Sequence, residues 1–79
     1  MTIVDLKIEL EKTGIPSSWY LLEEKGNEDM RHCISQLDNM WCVYFSERGN
    51  RFQMREFSSE ADACQELLSR MIRKQQKRR

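Results

Sequence analysis

The sequence has little of several residue types, and each shortage excludes a class of protein. One proline and three glycines among 79 residues exclude a collagen-like or low-complexity chain. No run approaches the ~18 apolar residues of a membrane span, and residues 1–5 lack the basic and apolar regions of a signal peptide. We therefore expect a cytoplasmic protein without a membrane partner.

The parts of an enzyme or of a metal site are also missing from the sequence. The single histidine, His32, precedes Cys33, and neighbouring strand positions point to opposite faces, so these two residues form a poor catalytic pair. His32 with Cys42 on another strand is the remaining alternative for a base and its nucleophile. Cys33, Cys42 and Cys64 include no C-x-x-C spacing, so we expect reduced, buried thiols. No catalytic residue, metal ligand or cofactor is expected, and hence no enzyme.

Length and charge divide the chain into a body and a basic end. A chain this short buries only about 60% of its unfolded surface, so one domain without a deep substrate cavity is expected. Residues 1–60 contain 7 basic and 11 acidic residues, a net charge of −4, whereas residues 61–79 contain 6 basic and 2 acidic residues, a net charge of +4. We expect a single domain over residues 1–72 and a basic C-terminal end over residues 73–79 that frays into solvent.

The hydrophobic pattern predicts a helix, four strands and a second helix. Thr2 and Asp5 have the spacing of a capping box, and Gly14 ends the first helix. Gly49 and Asn50 are expected at the positive-φ positions of a hairpin. The predicted elements are a helix over residues 2–13, strands over residues 19–22, 30–35, 40–45 and 51–57, and a helix capped by Ser58 or Ser59.

Alternation along the last two predicted strands indicates how the sheet is covered. In the third strand Trp41, Val43 and Phe45 share one face, and Cys42 and Tyr44 share the other. In the fourth strand, Phe52 and Met54 are expected to oppose the polar residues Arg51, Gln53 and Arg55. The expected fold class is α+β in the order α-β-β-β-β-α, with an antiparallel four-stranded sheet and a single layer of helices on one sheet face.

Without catalytic parts, the sequence favours a module that binds another protein. Acidic residues would attract a basic partner, Tyr is enriched in interface hot spots, and the predicted hairpin tip presents charged side chains. The candidate partner-binding residues are Glu23, Glu24, Asp29, Tyr44, Glu47 and Arg48.

The basic C-terminal helix supports an alternative function, the binding of nucleic acid. Its candidate residues are Arg73, Lys74, Lys77, Arg78 and Arg79. Cations of this kind contact phosphates in a salt-dependent way, although the acidic body and the absence of a run of stacking aromatics argue against this alternative. Self-association through an exposed edge strand is compatible with either function, so a monomer or a weak homodimer is expected.

Three segments carry a resemblance to a known family. They are Gly14-Ile15-Pro16, the run WCVYFSERG from Trp41 to Gly49, and the run FSSEADAC from Phe57 to Cys64. The last two are similar to the W-x-V-Y-Y/F-x-E-R-G and F-x-S-E-x-x-A-C patterns of small bacterial immunity-type proteins. The resemblance implies a cytosolic protein that neutralises a toxin domain by blocking its active surface.

The resemblance also implies roles for single residues. Trp41 and Phe57 would be structural, Cys64 would be the buried contact of the last helix, and Glu47 and Arg48 would be presented to the partner or would form a salt bridge in the turn. The basic end over residues 73–79 departs from the family pattern.

Overall fold

The described part of the chain forms two α-helices, a short 3₁₀ helix and four strands. The computed structural model describes residues 1–23, 26 and 29–77. The elements are α1 (Ile3–Lys12), a short 3₁₀ helix (Ser17–Trp19), β1 (Tyr20–Leu22), β2 (Arg31–Leu37), β3 (Met40–Glu47), β4 (Asn50–Phe57) and α2 (Glu60–Lys77). The predicted α+β class and the order α-β-β-β-β-α are confirmed.

The sheet is mixed, which corrects the prediction of an antiparallel sheet. The strand order is β1-β2-β3-β4, and β1 runs parallel to β2 while the other two pairs are antiparallel. For two consecutive strands to pair in parallel, the segment that connects them must run back from the end of the first strand to the level of its start. Because β1 has only three residues, about 10 Å at ~3.3 Å per residue, the distance to be covered between its end and the start of β2 is short.

Helix α1 begins at the predicted capping box. The Thr2 Oγ1 atom accepts the Asp5 N–H at 3.3 Å, and the Asp5 carboxylate accepts the Thr2 N–H at 3.1 Å. The Ile3 N–H donates to the Glu60 carboxylate at the start of α2, and the Gln75 side chain near the end of α2 donates to the Thr13 carbonyl oxygen. The two helices therefore run parallel to each other.

Helix α2 covers one face of the sheet. Ser59 caps it, since its hydroxyl oxygen accepts the Asp62 N–H at 3.1 Å. The helix was expected to fray from Arg73 onward, and its helical geometry continues to Lys77. The main core lies between the helices and this sheet face, and its fully buried members include Leu6, Leu10, Ile34, Val43, Ala63, Cys64, Leu67 and Met71.

The opposite sheet face holds a second, smaller core. Leu21, Cys33, Cys42 and Tyr44 are buried there, with Leu37 and Met40 packed against them. The Arg51 guanidinium lies over the Tyr44 ring at 4.8 Å. The predicted division of β3 is confirmed, because Val43 lies in the main core and Cys42 and Tyr44 lie in the second one.

Backbone irregularities in the β3–β4 hairpin correct two details of the prediction. Its positive-φ residues are Arg48 (52°) and Gly49 (79°), one position earlier than expected, because Glu47 and Asn50 pair and close the turn. The strands then shift register by a bulge at Gln53, whose φ is 55°. The bulge places Arg55 opposite Val43 on the helix side, although simple alternation had placed it with the residues opposed to Phe52.

Candidate functional site

An open cleft lies between α2 and the sheet and is the first candidate site. Its volume is about 710 Å³, which is within the size range of ligand sites. Its walls come from β2, β3, β4 and the part of α2 from Glu66 onward. The lining residues are His32, Phe45, Gln53, Arg55, Glu66, Arg70, Arg73, Lys74 and Lys77.

A buried ion pair forms one wall of the cleft. Nε of Arg70 donates to the Glu66 carboxylate at 2.8 Å, and Nη2 of Arg70 donates to the Gln53 carbonyl oxygen at 2.6 Å. The Arg70 side chain is only 7% exposed, and among the described residues its buried Nη1 has no hydrogen-bond partner. An unsatisfied buried donor costs about 1–3 kcal/mol, and more when it is charged. Arg70 therefore has donor capacity that its described neighbours leave unused.

Positive charge dominates the cleft. Arg55 donates to the other oxygen of Glu66 at 3.0 Å, so this single carboxylate among the lining residues is shared by two arginines. Arg73 and Lys77 lie at exposed positions further along α2. Five cationic side chains thus face one anionic side chain, and a cleft of one sign of charge attracts anions.

His32 is a neutral residue in this positive environment. Its ring lies 4.8 Å from that of Phe45, and its Nδ1 is buried with no hydrogen-bond partner among the described residues. Burial, together with the charges of Arg70, Lys74 and Arg73, lowers the pKa of His32 from 6.5 to about 4. The imidazole is therefore uncharged at neutral pH, and Cys33 points to the other sheet face as expected.

The β3–β4 turn is the second candidate site. The Arg48 N–H donates to the Asp29 carboxylate at 2.7 Å, and the Met30 N–H donates to the Ser46 carbonyl oxygen at 2.7 Å. These bonds fasten the segment before β2 onto the hairpin, while Asp29 and Arg48 stay exposed. Glu47 is half-buried beside them.

The other predicted partner-binding residues lie elsewhere. Tyr44 is 1% exposed and belongs to the second core, so its ring is not on the surface. Glu23 is exposed after β1, where its N–H donates to the Ile34 carbonyl oxygen. Glu24 lies outside the described residues. The structure therefore brings together only Asp29, Glu47 and Arg48 of the predicted set.

The predicted nucleic-acid residues that the structure describes line the cleft. Arg73, Lys74 and Lys77 belong to it, and Lys74 also lies over the Trp19 ring, with Nζ 4.7 Å from the ring centroid. Arg78 and Arg79 lie outside the described residues.

Sequence reasoning missed two cations of the cleft. Arg70 precedes Arg73, Lys74 and Lys77 by three, four and seven residues, which is the spacing of one helix face and could have identified it. No sequence signal identifies Arg55, because the bulge at Gln53 decides which side of the sheet it occupies.

Metal binding and membrane insertion find no support in the described part of the chain. No group of three or more His, Cys, Asp or Glu residues in residues 1–23, 26 and 29–77 is placed to hold a metal ion. No helix of the described chain combines the length and the apolar character that crossing a membrane requires. The three cysteines are buried thiols, as predicted, and none of them is part of a disulfide.

Comparisons with protein-family models, with curated proteins and with solved structures found no match to this chain.

Proposed function

We propose that the domain is a non-enzymatic binding module that neutralises a toxin by steric occlusion, as the immunity-type proteins that it resembles do. The observation that best supports this function is the backbone of Arg48, whose φ of 52° lies in the left-handed region. This region costs a residue other than glycine about 1–2 kcal/mol, and Asn and Asp tolerate it better because their side chains bond locally. The two-residue hairpin turn requires positive φ at this position whatever the side chain, and we take the exposed arginine found there, in place of Asn or Asp, as a residue that serves contact with a partner.

The turn is also preorganised for contact. The Asp29 carboxylate holds the Arg48 N–H at 2.7 Å, and Met30 bonds to Ser46 on the same hairpin. A fixed turn loses little conformational entropy when a partner binds it. Glu47 adds an acidic group next to the arginine, so the turn presents both signs of charge.

Co-expression with the product of the adjacent gene tests this proposal. If that product arrests growth, this chain should restore growth and co-purify with it, and Arg48→Asn should lose both effects while keeping the fold. Asp38→Asn is the matched control, because Asp38 has the equivalent φ of 51° in the β2–β3 turn at the other end of β3. The proposal fails if this chain does not relieve the arrest, or if R48N and D38N behave alike.

A second candidate function, the binding of single-stranded nucleic acid, is favoured by the basic cleft. Each phosphate contact on a single strand contributes about −0.7 to the slope of log K against log salt. Replacing Arg73 and Lys77 by glutamine should therefore reduce this slope by about 1.4 for random oligonucleotides. An affinity that does not depend on salt, or a slope that the double substitution leaves unchanged, would exclude this candidate.

A further inference from the structure

We propose that the cleft between α2 and the sheet is a phosphate-binding site, with the Arg70 guanidinium at its floor and the Arg73 and Lys77 side chains at its rim. This inference deepens the second candidate function, because it names the chemical group that the cleft recognises. It does not depend on the proposed partner contact of the β3–β4 turn, which other residues form.

The charge balance of the cleft matches an oxyanion. Glu66 is already shared between Arg55 and Arg70, at 3.0 Å and 2.8 Å. Arg73 and Lys77 add two further positive charges without an added carboxylate among the lining residues. A phosphate carries up to two negative charges and several acceptor oxygens, which this arrangement of arginine and lysine groups can satisfy.

Arg70 provides the feature that distinguishes this cleft from a solvated basic helix face. Nε and Nη2 are bonded to Glu66 and to the Gln53 carbonyl oxygen, and these bonds fix the plane of the guanidinium. Nη1 has no partner among the described residues, although the side chain is only 7% exposed. Nη1 is covered in this conformation, so a phosphate oxygen can bond to it only if the atoms that cover it move. A bound oxyanion would supply the acceptor that this donor needs.

The positions of the three cations on α2 give the site its shape. Arg70, Arg73 and Lys77 follow one another at spacings of three and four residues, so they share one face of the helix. They span about 10 Å along the axis at 1.5 Å per residue. Lys74 also lines the cleft, but its Nζ lies 4.7 Å from the centroid of the Trp19 ring, so the site is assigned to the other three cations of this helix face.

His32 supplies an internal reporter of binding. It is the only histidine in the chain, so its signals in a nuclear magnetic resonance spectrum are unambiguous. Arg70, Lys74 and Arg73 all act to lower its pKa. A phosphate bound among these cations would offset their charges, raise the pKa of His32 towards its ordinary value and change the chemical shifts of its ring.

The test is a titration of the full-length chain with inorganic phosphate into the millimolar range, at constant ionic strength and neutral pH. We expect saturable shifts of the His32 ring signals and of the Arg70 Nε–H signal. The variant Arg73→Gln/Lys77→Gln should weaken phosphate binding at least about tenfold, because it removes both rim cations. Lys7→Gln/Lys12→Gln is the matched control, since it removes two lysine charges from α1 that do not line the cleft.

The outcomes separate a site from general electrostatic attraction. Saturable binding that R73Q/K77Q weakens and K7Q/K12Q retains supports the site. Shifts that grow linearly, equal effects of the two double variants, or the same response to chloride would overturn it. Failure of oligonucleotide binding alone would remove the second candidate function and leave the phosphate site standing.

Two further probes identify the source of the phosphate group. Phenyl phosphate represents a phosphomonoester, and a short single-stranded oligothymidylate represents phosphodiesters. Tighter binding of the oligonucleotide than of phenyl phosphate assigns the site to a nucleic-acid backbone, whereas the reverse order assigns it to a phosphorylated side chain or small molecule. In either case R73Q/K77Q should bind both probes more weakly than the parent protein does. A probe that binds the variant and the parent protein equally well counts against the site.

Discussion

Lowering the pH from 7 to 5 should destabilise the domain through His32. The pKa of His32 is 6.5 in an unperturbed chain and about 4 in the fold, so between these values the unfolded state binds a proton that the folded state does not. Stability is therefore fully present above pH 6.5 and is lost as the pH falls through this window. Over two pH units this difference corresponds to about 2 kcal/mol of unfolding free energy.

Solvent at the open side of the cleft screens part of the effect, so we expect a loss of about 1–2 kcal/mol. The charges that contribute to this shift are those of Arg70, Arg73 and Lys74, all on α2. Urea unfolding followed by the fluorescence of Trp19 and Trp41 measures the free energy at each pH.

The variant His32→Gln is the control, because it keeps a polar side chain of similar size and removes the titrating group. Its unfolding free energy should change little between pH 7 and 5, since the ordinary pKa values of Asp and Glu lie below this window. The reasoning is refuted if H32Q loses as much stability as the parent protein. A directly measured pKa of His32 at or above 6.5 would refute it as well.

Three further predictions concern the core and the ion pair. Glu66→Gln should lower the free energy of unfolding by about 3 kcal/mol, because it leaves the buried Arg70 charge unpaired. Arg55→Ala should lower it by less than about 1 kcal/mol, because the Arg55 side chain is 62% exposed. Equal losses in urea unfolding would contradict this difference. Leu67→Ala should lower the free energy of unfolding by about 2–5 kcal/mol, since Leu67 is fully buried. A smaller loss would mean that the surrounding core collapses into the cavity that the substitution leaves. Burial raises the pKa of Cys64 to about 11, so this thiol should react with a disulfide reagent only after unfolding, and rapid native labelling would contradict its position.

Much of the secondary structure was predictable because local features specify it. Thr2 and Asp5 are three residues apart, so the capping bonds of α1 depend only on neighbouring atoms. Alternation along β3 assigned Val43 and Tyr44 to opposite faces, and the structure confirms this assignment. Ser59 was one of two predicted caps of α2, and its hydroxyl group fills that role.

The candidate site was predictable only in part. The motif run from Trp41 to Gly49 indicated the turn that carries Glu47 and Arg48, but not the bond from Asp29 that anchors it. Arg73 and Lys77 were predicted both as part of a fraying basic end and as candidate nucleic-acid residues, and the structure places them among the residues that line a cleft. The cleft also contains side chains from β2, β3 and β4, and a sequence pattern within α2 does not show which strands pack against this helix.

Periodicity and short-range hydrogen bonds made the helices, the strands, the helix caps and the burial of the three thiols predictable from the amino-acid order. The direction of β1, the register shift at Gln53 and the assembly of Arg55, Glu66 and Arg70 around one cleft became apparent in the folded chain alone. These features depend on contacts between different elements, which no pattern within a single segment encodes. The charge state of His32 follows from the same contacts, because burial and the cations on α2 lower its pKa to about 4.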